Sequence, residues 1–481
     1  MNEPIRRVFG VFMVMLLLLV GSTSWWTIVR ANDLNHKHAD QNTRAQLRGL
    51  KVKRGVIRAD DGTILARSVR TPEDIYSRRY PTGPLFGHAV GYSYTTSGQS
   101  GLEQYYDDDL SGKRGDVETL LDQLRGRSTE GDRLQTTLDP KAQQVAIQQL
   151  AGRKGSVVAL DPRTGAIKAM ASVPGFDPND ARDPQAFRRL QTDEAGSPLF
   201  NRATQAGYPP GSTFKVVTTI AALDSGKFTP QSQLDGKSPR TVSGTPLQND
   251  AGESFGVIDL TTALTKSVNT VYAQVAERVG AATMKDYMER LGFDKKPPLD
   301  YPRNQIAASG LYTSKGKRLS VTSGQVDIGR VGIGQERLRV TPLQMAMVAA
   351  AVANGGKLMK PHFGDKVVDA DGRTVRTIKP EVYSQAMSAS TAAQVRDMMG
   401  KVVEEGTGTA AALQGISVAG KTGTAEIDIA QNITQPWFIA FAPKDNPRIA
   451  VAATVERTQG GFGGVVAAPI AKAVMESLLG G

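Results

Sequence analysis

The alternation of apolar and polar residues changes period several times along the chain, and each change predicts an element. Between residues 54 and 66, apolar or β-branched positions flank Asp61-Gly62, as in two short strands around a tight turn where Gly62 takes a positive φ. Residues 71–115 are rich in Tyr, Gly and Pro, with Gly101-Leu102-Glu103 and Asp107-Asp108-Asp109 standing out, and their periodicity defines no fold. At residues 139–150 the period becomes helical: Ala142, Val145, Ala146 and Leu150 form one stripe, behind an Asp139 N-cap and Pro140 at the first helical position. Two strand-like runs, 155–160 and 166–171, then flank the turn-forming Asp161-Pro-Arg-Thr-Gly165 and should pair antiparallel. The pattern recurs late, with runs 437–441 and 448–455 around residues 443–447 and a closing helix over 467–479. Between these pairs the chain reads as mostly helical. The arrangement predicts an α+β domain whose antiparallel sheet takes strands from both ends of the segment and packs helices on both faces.

The N-terminus departs from this alternation. Residues 8–29 carry no charge, and about 20 apolar residues are what a bilayer core of about 30 Å requires of a helix. Arg6 and Arg7 precede the run, which predicts a cytoplasmic tail over 1–7, and Trp25 and Trp26 lie where an interfacial aromatic belt would be. A cleaved signal peptide would be shorter and followed by an Ala-x-Ala pattern, which is missing here. A single-pass anchor in the cytoplasmic membrane is therefore expected, with everything after it on the extracytoplasmic side. At 481 residues the chain exceeds one average domain, and the expected division is a smaller mixed α/β domain over 30–138 and a larger one over 139–481.

Composition excludes more than it suggests. The sequence has no cysteine, which removes disulfides, thiolate nucleophiles and cysteine-held metals. A net charge of +11 could serve nucleic-acid binding, but Lys and Arg are scattered and no reader motif accompanies them. The four histidines, His36, His38, His88 and His362, show neither the context of a Ser-His-Asp hydrolase nor metal-ligand spacing, so no metal and no cofactor are expected.

Chemistry is concentrated elsewhere. In Tyr208-Pro-Pro-Gly-Ser-Thr-Phe-Lys215 a loop feeds a helix, and Ser212 and Lys215, three apart, share a helical face where an amine could accept the hydroxyl proton. Ser-x-x-Lys alone is weak, and a second copy occurs at Ser314 and Lys317; its glycine and lack of an apolar stripe make it a solvated loop. Ser267-Val-Asn269 falls between two helical segments, where a bend would turn both polar side chains into one cleft. A helix-breaking polar pair would be the plain reading of that motif in isolation. Lys421-Thr-Gly-Thr424 opens a strand whose early glycine allows close approach of a ligand or another backbone.

These three motifs in this order are the signature shared by penicillin-binding proteins and class A β-lactamases. With Arg54-Gly55, Gly101-Leu102-Glu103, Thr136-Thr-Leu-Asp-Pro140 and Val331-Gly-Ile-Gly-Gln335 added, the chain resembles class B penicillin-binding proteins, in particular their short actinobacterial A type. The resemblance implies a membrane-anchored D,D-transpeptidase that cross-links peptidoglycan stem peptides and is acylated by β-lactams, with a membrane-proximal pedestal that docks a SEDS-type glycosyltransferase. It implies that Ser212 attacks the penultimate D-Ala carbonyl and Lys215 takes its proton. Ser267 would relay a proton to the leaving nitrogen, and Asn269 would hold the donor amide. Lys421, Thr422, Gly423 and Thr424 would bind the terminal carboxylate, and the backbone N–H groups of Ser212 and Thr424 would form the oxyanion hole. A D,D-carboxypeptidase or β-lactamase shares the acylation residues, and a non-catalytic scaffold would keep the fold. The 125 or so residues between span and transpeptidase, about one small domain, are too few for a second, glycan-polymerising one.

Overall fold

The computed structural model describes residues 3–25, 50–112 and 130–480. Helix Glu3–Ser24 comes first. Its 22 residues extend about 33 Å at 1.5 Å per residue, and the stretch Ile5–Ser24 is long and apolar enough to cross a membrane. The helix starts five residues before the expected span; Trp26 to Val29 and the 20 residues that follow, His36 and His38 among them, lie outside the described residues.

The larger sheet has the strand order Ala419–Asp428, Ile433–Ala442, Ile449–Val455, Gly155–Leu160, Ile167–Val173, every neighbour antiparallel. The early hairpin and the late strands are thus joined edge to edge, as the two strand-turn-strand patterns require. Both faces are covered, which explains why these strands read as near-continuous apolar runs. Val157, Ala159, Ala169 and Ala171 pack with helices Pro140–Leu150 and Gly463–Leu479. Val158, Leu160, Ile167 and Met170 face the other core, where helix Pro342–Ala353, apolar almost all round, lies against the sheet. Asp139 caps helix Pro140–Leu150, accepting from the Ala142 N–H at 2.8 Å, and Ala142, Ala146 and Leu150 are fully buried beneath it. The closing helix begins at Gly463, four residues before the apolar pattern does, because two glycines head it.

A second sheet brings together strands Thr374–Thr377, Gly364–Val368, Arg133–Thr136, Ile57–Arg58 and Ile64–Arg70, adjacent in that order. Its hairpin turns at Gly62 with φ +89°, as the Asp-Gly pair predicts. Strand Arg133–Thr136 has Ile57–Arg58 parallel on one side and Gly364–Val368 antiparallel on the other. Two strands from deep in the C-terminal half therefore complete a sheet begun near the N-terminus. The stretch that gave no fold from periodicity contains short helices at Gly87–Val90, Gly101–Tyr105 and Asp107–Ser111. It is organised by charge: Glu103 is fully buried, with Arg54 Nε at 2.7 Å and Arg78 Nε at 2.6 Å, while Arg54 also reaches Asp107 at 2.5 Å. Burial alone would raise the Glu103 carboxyl, but the two guanidinium groups hold it below its usual value.

Candidate active site

Ser212 stands in the 3-10 turn Gly211–Phe214, which runs directly into helix Lys215–Asp224. The turn is held by close backbone approach. Gly211 has φ +54°, and its N–H donates to Gly334 O at 3.0 Å. Gly334 has φ +79°, and a Cβ there would stand 1.9 Å from Gly211 O. Phe214, Val217 and Ala221 are buried along the helix, so Ser212 remains partly exposed at its head.

Ser267 and Asn269 come from the junction between helices Leu260–Thr265 and Asn269–Val279. Asp259 caps the first of these. The bend between them places Ser267 at φ +60°, a left-handed conformation that a non-glycine residue rarely adopts. Lys215, fully buried, turns its Nζ to this bend: Ser267 O lies at 2.7 Å, Asn269 Oδ1 at 2.7 Å and Ser267 Oγ at 3.2 Å. Ser212 Oγ is not among its partners, so the expected lysine–nucleophile bond is absent in this state. Asn269 donates in turn to Gln248 O at 3.0 Å. From strand Ala419–Asp428, Lys421 Nζ approaches Ser267 Oγ at 2.9 Å and Thr422 O at 2.9 Å.

The proton affinities of the two amines follow from their surroundings. Burial pushes Lys215 well below the ordinary lysine range; repulsion from Lys421 adds to the shift and Asp250 opposes it. Burial alone lowers Lys421 to about 7. A neutral Lys215 has two N–H donors and one lone pair. Two of its three partners, Ser267 O and Asn269 Oδ1, can only accept, which leaves the lone pair for the Ser267 hydroxyl. Ser267 Oγ can then accept from Lys421 and donate to Lys215, linking the two amines through one hydroxyl.

Strand Ala419–Asp428 is the edge of its sheet, and its register decides what that edge presents. Thr424 lies opposite Pro436, which has no N–H and whose carbonyl accepts from Thr454 Oγ1, on the far strand, at 2.9 Å. The Thr424–Pro436 pair therefore has no ladder bonds, and residues of such a pair turn their N–H and C=O away from each other. Thr424 accordingly offers its backbone N–H to the open edge, beside the Ser212 turn: a Cβ on Gly211 would stand 2.8 Å from Thr424 O. Its hydroxyl accepts from the Gly463 N–H at 3.2 Å, leaving the hydroxyl proton free to point outward.

The structure thus gathers Ser212, Lys215, Ser267, Asn269 and Lys421 to Thr424 from three distant segments. It leaves Ser314 and Lys317 apart, in the turn joining strands Gly310–Tyr312 and Arg318–Leu319. Residues that the motifs do not name also contribute. Thr407 Oγ1 lies 2.6 Å from Thr422 Oγ1, and Glu456 accepts from Arg202 Nε at 2.9 Å and from the Tyr208 hydroxyl, tying the approach loop to the sheet. Nothing local in the sequence marks Thr407 or Glu456; Gly334 was visible as part of a Gly-x-Gly. His88 is buried against Pro198 O at 2.8 Å, and burial lowers its pKa to about 4, so it plays no part here.

Comparison with known proteins places this constellation in a class. Residues 155–476 match the penicillin binding protein transpeptidase domain, and residues 54–134 match the penicillin binding protein A dimerisation domain. The chain belongs to the penicillin-binding transpeptidase family. It is 36% identical, over its whole length and 99% of the relative's, to the peptidoglycan D,D-transpeptidase PbpA of Mycolicibacterium smegmatis. The structure of penicillin-binding protein A from M. tuberculosis as its ceftriaxone acyl-enzyme superposes with a TM-score of 0.81 at 33% identity, covering 90% of this chain and all of the other. Pseudomonas aeruginosa PBP2 is more distant, with a TM-score of 0.75 at 28% identity over 89% of this chain and 95% of the other.

Proposed function

We propose that this chain is a monofunctional serine D,D-transpeptidase that cross-links peptidoglycan stem peptides and is inhibited by β-lactams. The observation that carries this reading is the Lys215–Ser267–Lys421 hydrogen-bonded chain beside Ser212. Ser212 Oγ attacks the penultimate D-Ala carbonyl, and Lys215, kept neutral by burial, turns its lone pair from the Ser267 hydroxyl to Ser212 and takes its proton. As the C–N bond breaks, Ser267 passes its hydroxyl proton to the departing D-Ala nitrogen and is reprotonated by the Lys215 ammonium 3.2 Å away. Asn269 holds the donor amide, and Lys421, Thr422, Gly423 and Thr424 line the site of the terminal carboxylate. The N–H groups of Ser212 and Thr424 stabilise the oxyanion, a type of contact worth about 2.7–4 kcal/mol. An amine from a second stem then attacks the ester and restores Ser212.

The apolar helix acts as a single-pass anchor with its N-terminus in the cytoplasm. Residues 30–138 form the pedestal, completed by strands from 364–377, and present a SEDS-type glycosyltransferase with its docking surface; the remaining residues from 139 onward form the transpeptidase domain. Intact-protein mass spectrometry with benzylpenicillin tests the reading. A persistent adduct on Ser212, with amine-dependent cross-linking of a D-Ala-D-Ala peptide, supports it. Rapid return to the unmodified mass with release of hydrolysed drug would identify a hydrolase instead.

A further inference from the structure

Helices Lys215–Asp224 and Asn269–Val279 pack against each other, and each brings two residues about one turn apart to the contact. Lys215 and Thr219 are four apart on the first, Asn269 and Tyr272 three apart on the second, so each pair shares a helical face. Asn269 Oδ1 takes one position around the Lys215 amine, at 2.7 Å. Tyr272 takes another: Lys215 Nζ stands over its ring, 5.7 Å from the centroid, and both side chains are fully buried. The hydrogen-bond directions fix that ring. Thr219 Oγ1 donates its one proton to Lys215 O at 2.7 Å, so in its 2.8 Å contact with the Tyr272 hydroxyl it accepts. Burial raises Tyr272 above the ordinary tyrosine range, which keeps the donated proton in place. The ring is thus tied, through two hydroxyls, to the backbone of the residue whose amine it faces.

The ring matters when Lys215 becomes charged. Lys215 is an ammonium from the moment it takes the Ser212 proton until it reprotonates Ser267, and it holds that charge with no contact to solvent. Among the described residues no carboxylate pairs with it. The charges that reach it are Lys421, from strand Ala419–Asp428, which repels it, and Asp250, from the 3-10 turn Asp250–Gly252, which attracts it. Stabilisation at closer range comes from Ser267 O, from Asn269 Oδ1 and from the negative face of an aromatic ring, an interaction that acts within about 6 Å and strengthens when the cation is desolvated. The two oxygens also accept from the neutral amine. The ring attracts chiefly the charged form, so its contribution falls on the proton-transfer step.

We propose that Tyr272 is a positioning residue of the acylation step: its ring face stabilises the positive charge that Lys215 acquires from Ser212, and its hydroxyl serves to hold the ring. The proposal rests on the transpeptidase reading above, in which Lys215 is the proton acceptor.

The test uses the full-length chain in detergent and follows the rate of acylation by benzylpenicillin against pH. The acid limb reports loss of the Lys215 proton, and the alkaline limb loss of the Lys421 proton. Tyr272→Phe keeps the ring and should retain the parent's acid limb. Phenylalanines bearing one, two and three ring fluorines at position 272 keep the shape while withdrawing charge from the ring face. Across that series the acid limb should move stepwise to lower pH by about one unit in all, an about tenfold weaker hold on the ammonium, and the plateau rate should fall with it while the alkaline limb stays in place. An acid limb indifferent to fluorination, or one that Tyr272→Phe alone displaces by a full unit, would overturn the assignment. A parent enzyme that benzylpenicillin fails to acylate, or whose acylation has no acid limb, would instead bring down the catalytic reading of Lys215 on which the assignment depends.

Discussion

Replacing Lys421 by methionine should abolish efficient acylation and, less obviously, flatten the dependence of stability on pH. Lys421 is fully buried, and burial lowers its ammonium from 10.5 to about 7. In the unfolded chain it keeps its proton up to about pH 10.4. Below pH 7 both states carry the proton and the burial penalty is felt in full. Between the two values the unfolded chain binds the additional proton, so stability rises with pH. Each pH unit well inside that window is worth about 1.4 kcal/mol. Since the folded lysine is half-titrated at the lower end, the gain between pH 7 and pH 9 is roughly 2 kcal/mol. Methionine contributes nothing of this kind. Lys215 reinforces the contrast, because part of its own depression comes from Lys421 and relaxes when that charge is removed. Urea denaturation of both proteins at the two pH values measures the effect, with fluorescence of Trp437 as the reporter: it is fully buried and donates to Pro209 O at 3.0 Å, just before the Ser212 turn. The parent should gain about 2 kcal/mol on the variant over that interval. A stability difference that is the same at pH 7 and pH 9 would show that the Lys421 amine keeps an ordinary proton affinity, and the argument from burial would be wrong.

Ser212→Ala should eliminate labelling by a fluorescent penicillin and Ser314→Ala should leave it intact, because Ser314 sits in a solvated turn; label mapped to Ser314 would contradict this. Gly334→Ala should slow acylation strongly in a protein that still shows native circular dichroism, since the new Cβ would have to displace Gly211 O from 1.9 Å; parent-rate acylation would remove the claim that this contact holds the nucleophile turn. Glu103→Ala should lower stability by about 3–5 kcal/mol, the usual consequence of leaving buried cations without their anion. Glu103→Ala denaturing within error of the parent would mean that Arg54 and Arg78 find water.

The catalytic sheet was legible because its strands and helices are local patterns with their own punctuation. Asp139-Pro140 caps and starts a helix, Asp61-Gly62 turns a hairpin, and residues 155–160 and 449–455 are apolar on both faces because both faces are buried. The site was legible for a different reason, as three short motifs carrying the charged and hydroxyl groups. What connects them was not. The alignment of Lys215 toward Ser267 and Asn269, in place of Ser212, depends on a left-handed Ser267 that no residue type announces. The N-terminal region resisted for want of periodicity: its centre is an ion-paired cluster of Arg54, Arg78 and Glu103, separated by up to 49 positions in sequence. Strand Gly364–Val368 likewise finds its partner more than two hundred residues upstream, a pairing that hydrophobic alternation cannot encode.

That long-range pairing has a consequence for biogenesis. Strand Arg133–Thr136 leaves the ribosome with one neighbour, Ile57–Arg58, already made, and its other neighbour about 230 residues away; at about 5–20 residues per second the delay is roughly 10–45 s. Throughout that interval the nascent chain exposes an unpaired β-edge, available to any extended segment that passes. The N-terminal region therefore cannot mature as an independent module ahead of the catalytic domain. Its completion reports that translation has passed residue 377, so truncation before strand Gly364–Val368 leaves an adhesive, quality-control-prone stump in place of a shortened but well-formed anchor unit.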